Sequence, residues 1–200
     1  MIDRYLLGPQ HRLLAPIARA LAPHLTANAM TIGGFAAGMA GVLAIWGGAM
    51  GVGLAGLILN RLADGLDGEI ARLQGHTARG AFLDISLDFL FYALFPLAFA
   101  LHDPAANALP AAILIASFIG TGATFLAFSG VAATQGRRSE DYPDKGIPYL
   151  GGLTEGFETI VIFMAMCIWP GAFGWLALGF AAACALTTIS RLVAGWRAFG

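Results

Sequence analysis

Six apolar runs, parted by short turns and one longer polar loop, account for most of this chain. A run of about 20 apolar residues is long enough to cross the roughly 30 Å hydrocarbon core of a bilayer as a helix. The composition agrees, with 58% hydrophobic and 12% charged residues over 200 positions, where soluble domains carry about 25% charged residues. The predicted fold class is an all-α integral membrane protein: six transmembrane helices preceded by an N-terminal amphipathic interfacial helix, all in a single domain over 1–200. The spans fall near residues 30–46, 51–73, 80–101, 109–134, 153–169 and 172–196.

Residues 1–24 are too polar and too interrupted by proline to span. Leu13, Leu14, Ile17 and Leu21 recur at helical spacing, and Arg12 and Arg19 share the other face. That pattern predicts a helix lying on the headgroups. Asp3, Pro9, His11 and Arg12 break any early apolar run, so the N-terminus does not resemble a cleavable signal. Cys167 and Cys184 sit within apolar runs without CxxC spacing and read as buried thiols. A net charge of −1 gives no sign of a nucleic-acid partner.

Lysine and arginine together number eleven. Threading six spans puts Arg4, Arg12, Arg19, Arg72, Arg79, Arg137, Arg138, Lys145 and Arg197 on one side. Arg61 and Arg191 lie in the halves of their spans nearer that side. The opposite turns, "GGAMG", "HDPAAN" and "PGAFG", hold no lysine or arginine. The positive-inside rule then places both termini in the cytoplasm. In the first span Gly33, Gly34, Ala37, Gly38 and Gly41 form a small-residue stripe, read as ordinary close packing.

One stretch defies the lipid environment. "NRLADGLDGEIARLQGHTARGAFLDISLDFL", Asn60 to Leu90, carries four aspartates, one glutamate and three arginines. An ionised side chain at a span centre costs about 2.5–3.5 kcal/mol on insertion scales. These groups must therefore face a protein interior or a wet cavity. In an antiparallel hairpin, a rise of 1.5 Å per residue puts Asp67 and Asp64 about 9 and 13 Å deep, and Asp84 and Asp88 about 6 and 12 Å deep. Each pair is three or four residues apart and shares a helix face. Four carboxylates at one level repel one another unless a counter-charge is present. Hard divalent cations, Mg²⁺ or Mn²⁺, suit such oxygen donors. Arg72 and Arg79 nearby suit a diphosphate ligand.

Taken whole, Asp64-x2-Asp67-Gly68-x2-Ala71-Arg72-x7-Gly80-x3-Asp84-x3-Asp88 closely resembles the signature of the CDP-alcohol phosphotransferase family, integral membrane enzymes of phospholipid synthesis. The family's amphipathic helix and six spans cover nearly the whole chain, which is most similar to the small bacterial inner-membrane members. The resemblance implies transfer of a phosphatidyl group from CDP-diacylglycerol to an alcohol, releasing CMP, at the cytoplasmic face. It implies two Mg²⁺ or Mn²⁺ ions, with Asp64, Asp67 and Asp84 as metal ligands. Asp88 would be the general base, also within reach of a metal. Gly68, Arg72 and Gly80 would line the cytidine diphosphate pocket. Members commonly dimerise, so a homodimer is expected on the same ground.

The family also carries a short motif before the first span, here Thr26-Ala27-Asn28-Ala29-Met30-Thr31. Asn28 and Thr31 fit it, and alanine replaces the usual proline at position 27. A nucleotide-binding role and simple helix capping both account for these residues. In the loop after the fourth span, Arg137, Arg138 and Lys145 are candidates for binding a phosphate on the acceptor, or else topology signals. Glu155 and Glu158 open the fifth span and are candidates for binding acceptor hydroxyls. The structural alternative is a Glu158–Arg191 or Glu155–Arg61 pair. The acceptor alcohol stays open: glycerophosphate-using relatives usually have lysine after the last aspartate, where this chain has Phe89. A transporter or ion channel using the same carboxylates is the competing reading. It is weakened by the absence of an inverted repeat and by the gathering of the acids at one face.

Overall fold

The computed structural model describes residues 3–135 and 152–200, with side chains from His11 onward. The described residues form helices and no strand. In chain order these are α1 (Asp3–Leu21), α2 (Ala27–Trp46), α3 (Met50–Gln74), α4 (Ala78–His102), α5 (Pro104–Thr134), α6 (Gly156–Ile168) and α7 (Phe173–Phe199). A single 3-10 turn, Pro170–Ala172, leads into α7.

Local chemistry sets the boundaries. Thr26 caps α2, its hydroxyl accepting from the Ala29 amide at 3.2 Å, and Thr77 caps α4 through the Gly80 amide at 3.0 Å. Gly75, at φ +96°, ends α3 in a conformation that L side chains rarely adopt. The fourth span was expected from residue 109, but α5 begins at Pro104. Asp103 accepts from the Ala106 amide at 3.2 Å and Pro104 occupies the first turn. The "DP" of the supposed turn is thus a helix start.

Four helices are long and apolar enough to cross a membrane: α2, α4, α5, and α7 with the turn before it. Of the other two expected spans, α3 has the length, 25 residues, but carries Arg61, Asp64, Asp67, Glu69 and Arg72. α6 is apolar but has only 13 residues, about 20 Å of helix at 1.5 Å per residue.

α3 lies against α2, α1 and α6, and α4 packs on α2 and α5, with α7 beyond α5. The small residues of α2 let α3 approach closely. A Cβ at Gly56 would lie 2.6 Å from Gly41 Cα, and one at Gly34 would lie 2.4 Å from Ala63 Cβ. Gly33, also in the stripe, has nothing within 4 Å of that position and takes no part. Phe91, Phe95 and Phe99 of α4, Phe163 of α6 and Phe173 of α7 are fully buried. Phe95 stacks on Phe163 at 4.3 Å and Phe99 on Phe173 at 4.6 Å. Such aromatic contacts fix helix positions where lipid offers no hydrophobic drive between helices. Cys167 and Cys184 are buried free thiols, as expected. On α1, Leu14, Ala15 and Ala18 are buried while Leu13 and Ile17 remain exposed.

Candidate active site

α3 and α4 form the expected hairpin, turning over Gly75–Thr77. It brings one carboxylate oxygen from each of Asp64, Asp84 and Asp88 within 4.8 Å of one another. Helical spacing explains the convergence: each helix offers its acids on one face, and the short turn sets those faces opposite each other. Asp67 stands beside this trio, outside it. Its Oδ2 accepts from the Thr31 hydroxyl at 2.6 Å, which turns it toward α2. Of the four predicted acids, Asp64, Asp84 and Asp88 thus converge and Asp67 adjoins them.

The trio has an internal counter-charge. Arg61, one turn before Asp64, donates through Nη2 to Asp88 Oδ1 at 2.7 Å. Its Nη1 lies 3.6 Å from Asp64 Oδ2. Nε and Nη2 also donate to Asn60 Oδ1 at 2.9 and 2.6 Å, and Nη1 donates to the Tyr92 hydroxyl at 3.3 Å. The guanidinium carbon sits 5.5 Å from the Phe91 ring centroid and 5.6 Å from that of Tyr92, within cation–π range. Asn60 is in turn fixed by α2, donating from Nδ2 to the Gly34 carbonyl at 3.0 Å. Arg61, a candidate partner for Glu155 by sequence, therefore belongs to the aspartates.

A cavity of about 560 Å³ opens from these acids. Asp64, Asp67, Gly68, Arg72, Asp84 and Asp88 form one wall. Phe89, Tyr92, Phe118 and Phe125 supply an apolar surface, and Thr121, Thr154, Glu155 and Arg191 complete the polar lining. Its size and mixed lining are those of a small-molecule site.

The other candidates distribute unevenly. Gly68 has no atom within 4 Å of where a Cβ would stand, so the cavity reaches its backbone. Gly80 instead faces Asn28: a Cβ there would lie 3.0 Å from Asn28 Oδ1 and 3.1 Å from Thr77 Oγ1. Capping of α2 falls to Thr26, so Asn28 and Thr31 are left facing α4 and Asp67. Glu158 Oε2 accepts from the Glu155 amide at 3.0 Å, a helix-start role. Glu155 is buried, lines the cavity, and accepts from the Gly152 amide at 2.9 Å. Arg191 is buried too, donating to the Thr121 carbonyl at 3.0 Å, with its guanidinium over the Phe125 ring. Arg137, Arg138 and Lys145 lie outside the described residues.

Two features escaped the sequence. Asn60 orients Arg61, and Glu69 sits buried beside Arg72. The signal for Asn60 was its place one turn before Asp64 on the acid-bearing face. For Glu69 it was a charge inside the signature at a position the signature leaves open.

Comparison with known proteins accords with this geometry. Residues 24–189 match the family model for CDP-alcohol phosphatidyltransferase. The chain is 47% identical over 200 residues to inner membrane protein YnjF of Escherichia coli K12, covering 98% of this chain and 96% of that protein. Its fold matches phosphatidylinositol phosphate synthase PgsA1 of Mycobacterium tuberculosis with CDP-DAG bound, at a TM-score of 0.73 and 26% identity, over 92% of this chain and 94% of that one. The same enzyme in complex with manganese and citrate matches at a TM-score of 0.69 and 25% identity, over 92% and 88% of the two chains. A family match across most of the chain, joined to a hairpin that gathers the acids of the signature, establishes that the chain belongs to the CDP-alcohol phosphatidyltransferase family.

Proposed function

We propose that this protein transfers the phosphatidyl group of CDP-diacylglycerol to the hydroxyl of an alcohol, releasing CMP, as a divalent-metal-dependent step of phospholipid synthesis. The observation that carries this reading is the meeting of Asp64, Asp84 and Asp88 within 4.8 Å at the edge of a cavity that also holds Gly68 and Arg72. In the reaction an oxygen–phosphorus bond forms from the alcohol. The bond from that phosphorus to the CMP oxygen breaks, and the alcohol proton must leave.

The donor set fits a hard cation. It offers only carboxylate oxygens, with Arg61 beside Asp64 and Asp88. Asp64, Asp84 and Asp88, with Asp67 alongside, would hold two Mg²⁺ or Mn²⁺ ions. When bound, these supply charge neutralisation for the diphosphate and the departing CMP. The chain's own groups do the rest. Arg61 holds Asp88 Oδ1, leaving Oδ2 to take the proton of the attacking hydroxyl. Gly68 lets the nucleotide reach the α3 backbone, and Arg72 meets its phosphates. Asn28 and Thr31 brace the same pocket from α2. Glu155, in the cavity wall, would bind acceptor hydroxyls, whereas Glu158 would act only through the helix start it fixes.

The setting follows from the same reading. The relative in Escherichia coli is named an inner membrane protein, and four helices are long and apolar enough to cross. With α3 and α6 completing six spans, the positive-inside rule puts both termini and the acid-lined cavity at the cytoplasmic face. α1 then lies on the headgroups with Leu13 and Ile17 toward the acyl chains.

The test is CMP release by purified protein from CDP-diacylglycerol with Mg²⁺ or Mn²⁺ and a panel of alcohols. Metal-dependent CMP formation with at least one acceptor is expected. Failure with every acceptor, together with no binding of the CDP-lipid, overturns the proposal.

A further inference from the structure

We infer that Glu69 is a positioning residue for Arg72, held from α1 by His11, so that the seating of α1 on α3 sets the affinity for the nucleotide-linked donor. This inference rests on the function proposed above.

Glu69 is a buried carboxylate, its side chain 7% exposed, inside a helix read as membrane-spanning. Such a group is costly unless both oxygens are paired. Both are. Oε1 accepts from Arg72 Nη1 one turn along α3. Oε2 meets His11 Nδ1 of α1 at 2.8 Å. An ionised carboxylate only accepts, so the histidine nitrogen is the donor. Glu69 and Arg72 both line the large cavity. Arg72, with 40% of its side chain exposed, is open to a ligand there.

The seating of α1 is tied to the same turn of α3. Gln74, two residues past Arg72, donates from Nε2 to the carbonyls of Ala22 and Leu25, each at 2.8 Å. Its Oε1 accepts from the Ala27 amide at 3.2 Å. One side chain thus binds the whole link between α1 and α2 to the end of α3. Ala18 and Leu14 of α1 are buried, and α1 packs on α3. The last turn of α3, α1 and the link therefore form one unit around Arg72.

An exposed ion pair contributes little to stability because its side chains lose freedom in forming it. Here that loss is taken before the ligand arrives. Arg72 is already ordered, which lowers the entropic cost of binding a phosphate. Glu69 therefore acts on donor affinity and not on the chemical step.

The experiment is a double-mutant cycle of Glu69→Gln and His11→Ala in the full chain, in lipid nanodiscs with Mn²⁺. It reads KM for CDP-diacylglycerol, kcat, and CMP binding. Hydrogen bonds to charged groups set the scale: Glu69→Gln is expected to raise KM about tenfold and weaken CMP equally, with kcat within about twofold. His11→Ala, on a side chain 55% exposed, is expected to raise KM about threefold. The double variant should match Glu69→Gln alone, because the histidine acts only through the glutamate. His11→Gln, which keeps a donor, should restore KM. Effects that multiply, an unchanged KM in Glu69→Gln, or a loss confined to kcat overturn the inference. Should Glu69→Gln fail to fold, His11→Ala and its rescue decide alone: no change in KM or CMP binding overturns it. An inactive wild-type protein that binds neither CMP nor the CDP-lipid instead overturns the proposed function.

Discussion

Arg61 Nη2 lies 2.7 Å from Asp88 Oδ1, and this contact crosses from α3 to α4 at the centre of the acid cluster. The Arg61 side chain is 16% exposed and that of Asp88 31%, so the pair is partly wet. Removing one member of a buried ion pair costs about 3–5 kcal/mol because the other is left uncompensated. Arg61→Met is therefore expected to lower stability by about 3 kcal/mol, at the low end of that range because of the wetting. Thermal unfolding in detergent, read with and without Mn²⁺, checks this. Mn²⁺ should restore more of the loss in the variant than it adds to wild type, since the ion replaces the missing positive charge. Unchanged unfolding without metal would show that the pair is dispensable.

The four aspartates differ in their partners, and their variants should differ too. Asp84→Asn removes an oxygen from the converging trio and should abolish both Mn²⁺-dependent CMP binding and CMP release. Asp88→Asn keeps one oxygen toward the trio and should weaken CMP binding less than Asp84→Asn does, while turnover falls about 10²- to 10⁴-fold, the range for loss of a general base. Asp67→Asn keeps an acceptor oxygen for the Thr31 hydroxyl, so its folding should be intact while activity falls. Calorimetric CMP titration beside single-turnover CMP release separates the three. Equal losses of binding in Asp84→Asn and Asp88→Asn would remove the distinction between ligand and base.

That the acids meet was legible from the sequence, because it depends only on helical spacing and a short turn between two long helices. Seven residues part Arg72 from Gly80, so an antiparallel return brings the two acid faces to similar depth. What was not legible depends on neighbours remote in sequence. His11 and Glu69 are 58 residues apart, and nothing in an amphipathic stretch announces which polar tip will reach a buried carboxylate. Asn60 was hidden for the same reason, since its partner is a backbone carbonyl of α2. The start of α5 was misread locally: aspartate followed by proline serves a turn and a helix cap equally well, and only the hydrogen bond to Ala106 separates them.

Chelation should reverse cleanly. EDTA is expected to abolish CMP release, with Mn²⁺ or Mg²⁺ restoring it. A ligand at a hundred times its Kd stabilises a folded state by about 2.7 kcal/mol. Saturating Mn²⁺ should therefore raise the melting temperature of wild-type protein and leave Asp64→Asn where it was. A shift of equal size in that variant would place the ion elsewhere.

Gly68 and Gly80 both belong to the signature, yet their surroundings predict opposite behaviour. Around Gly68 no atom lies within 4 Å of where a Cβ would stand, and the residue lines the cavity from within α3. Glycine in a helix interior is about 0.5–1 kcal/mol less favourable than alanine. Gly68→Ala should therefore fold at least as stably as wild type. On the proposed function its methyl group would enter the space of the nucleotide, so KM for CDP-diacylglycerol should rise about tenfold or more, the scale of a steric mismatch in a fitted pocket. Gly80→Ala meets the Asn28 amide oxygen at 3.0 Å and the Thr77 cap at 3.1 Å. It should lower the melting temperature by disturbing the contact between α2 and α4, with any loss of activity following that of the fold. Melting curves and donor KM measured together on both variants give the check. A Gly68→Ala protein with wild-type KM would mean that the open space at α3 serves something other than the donor.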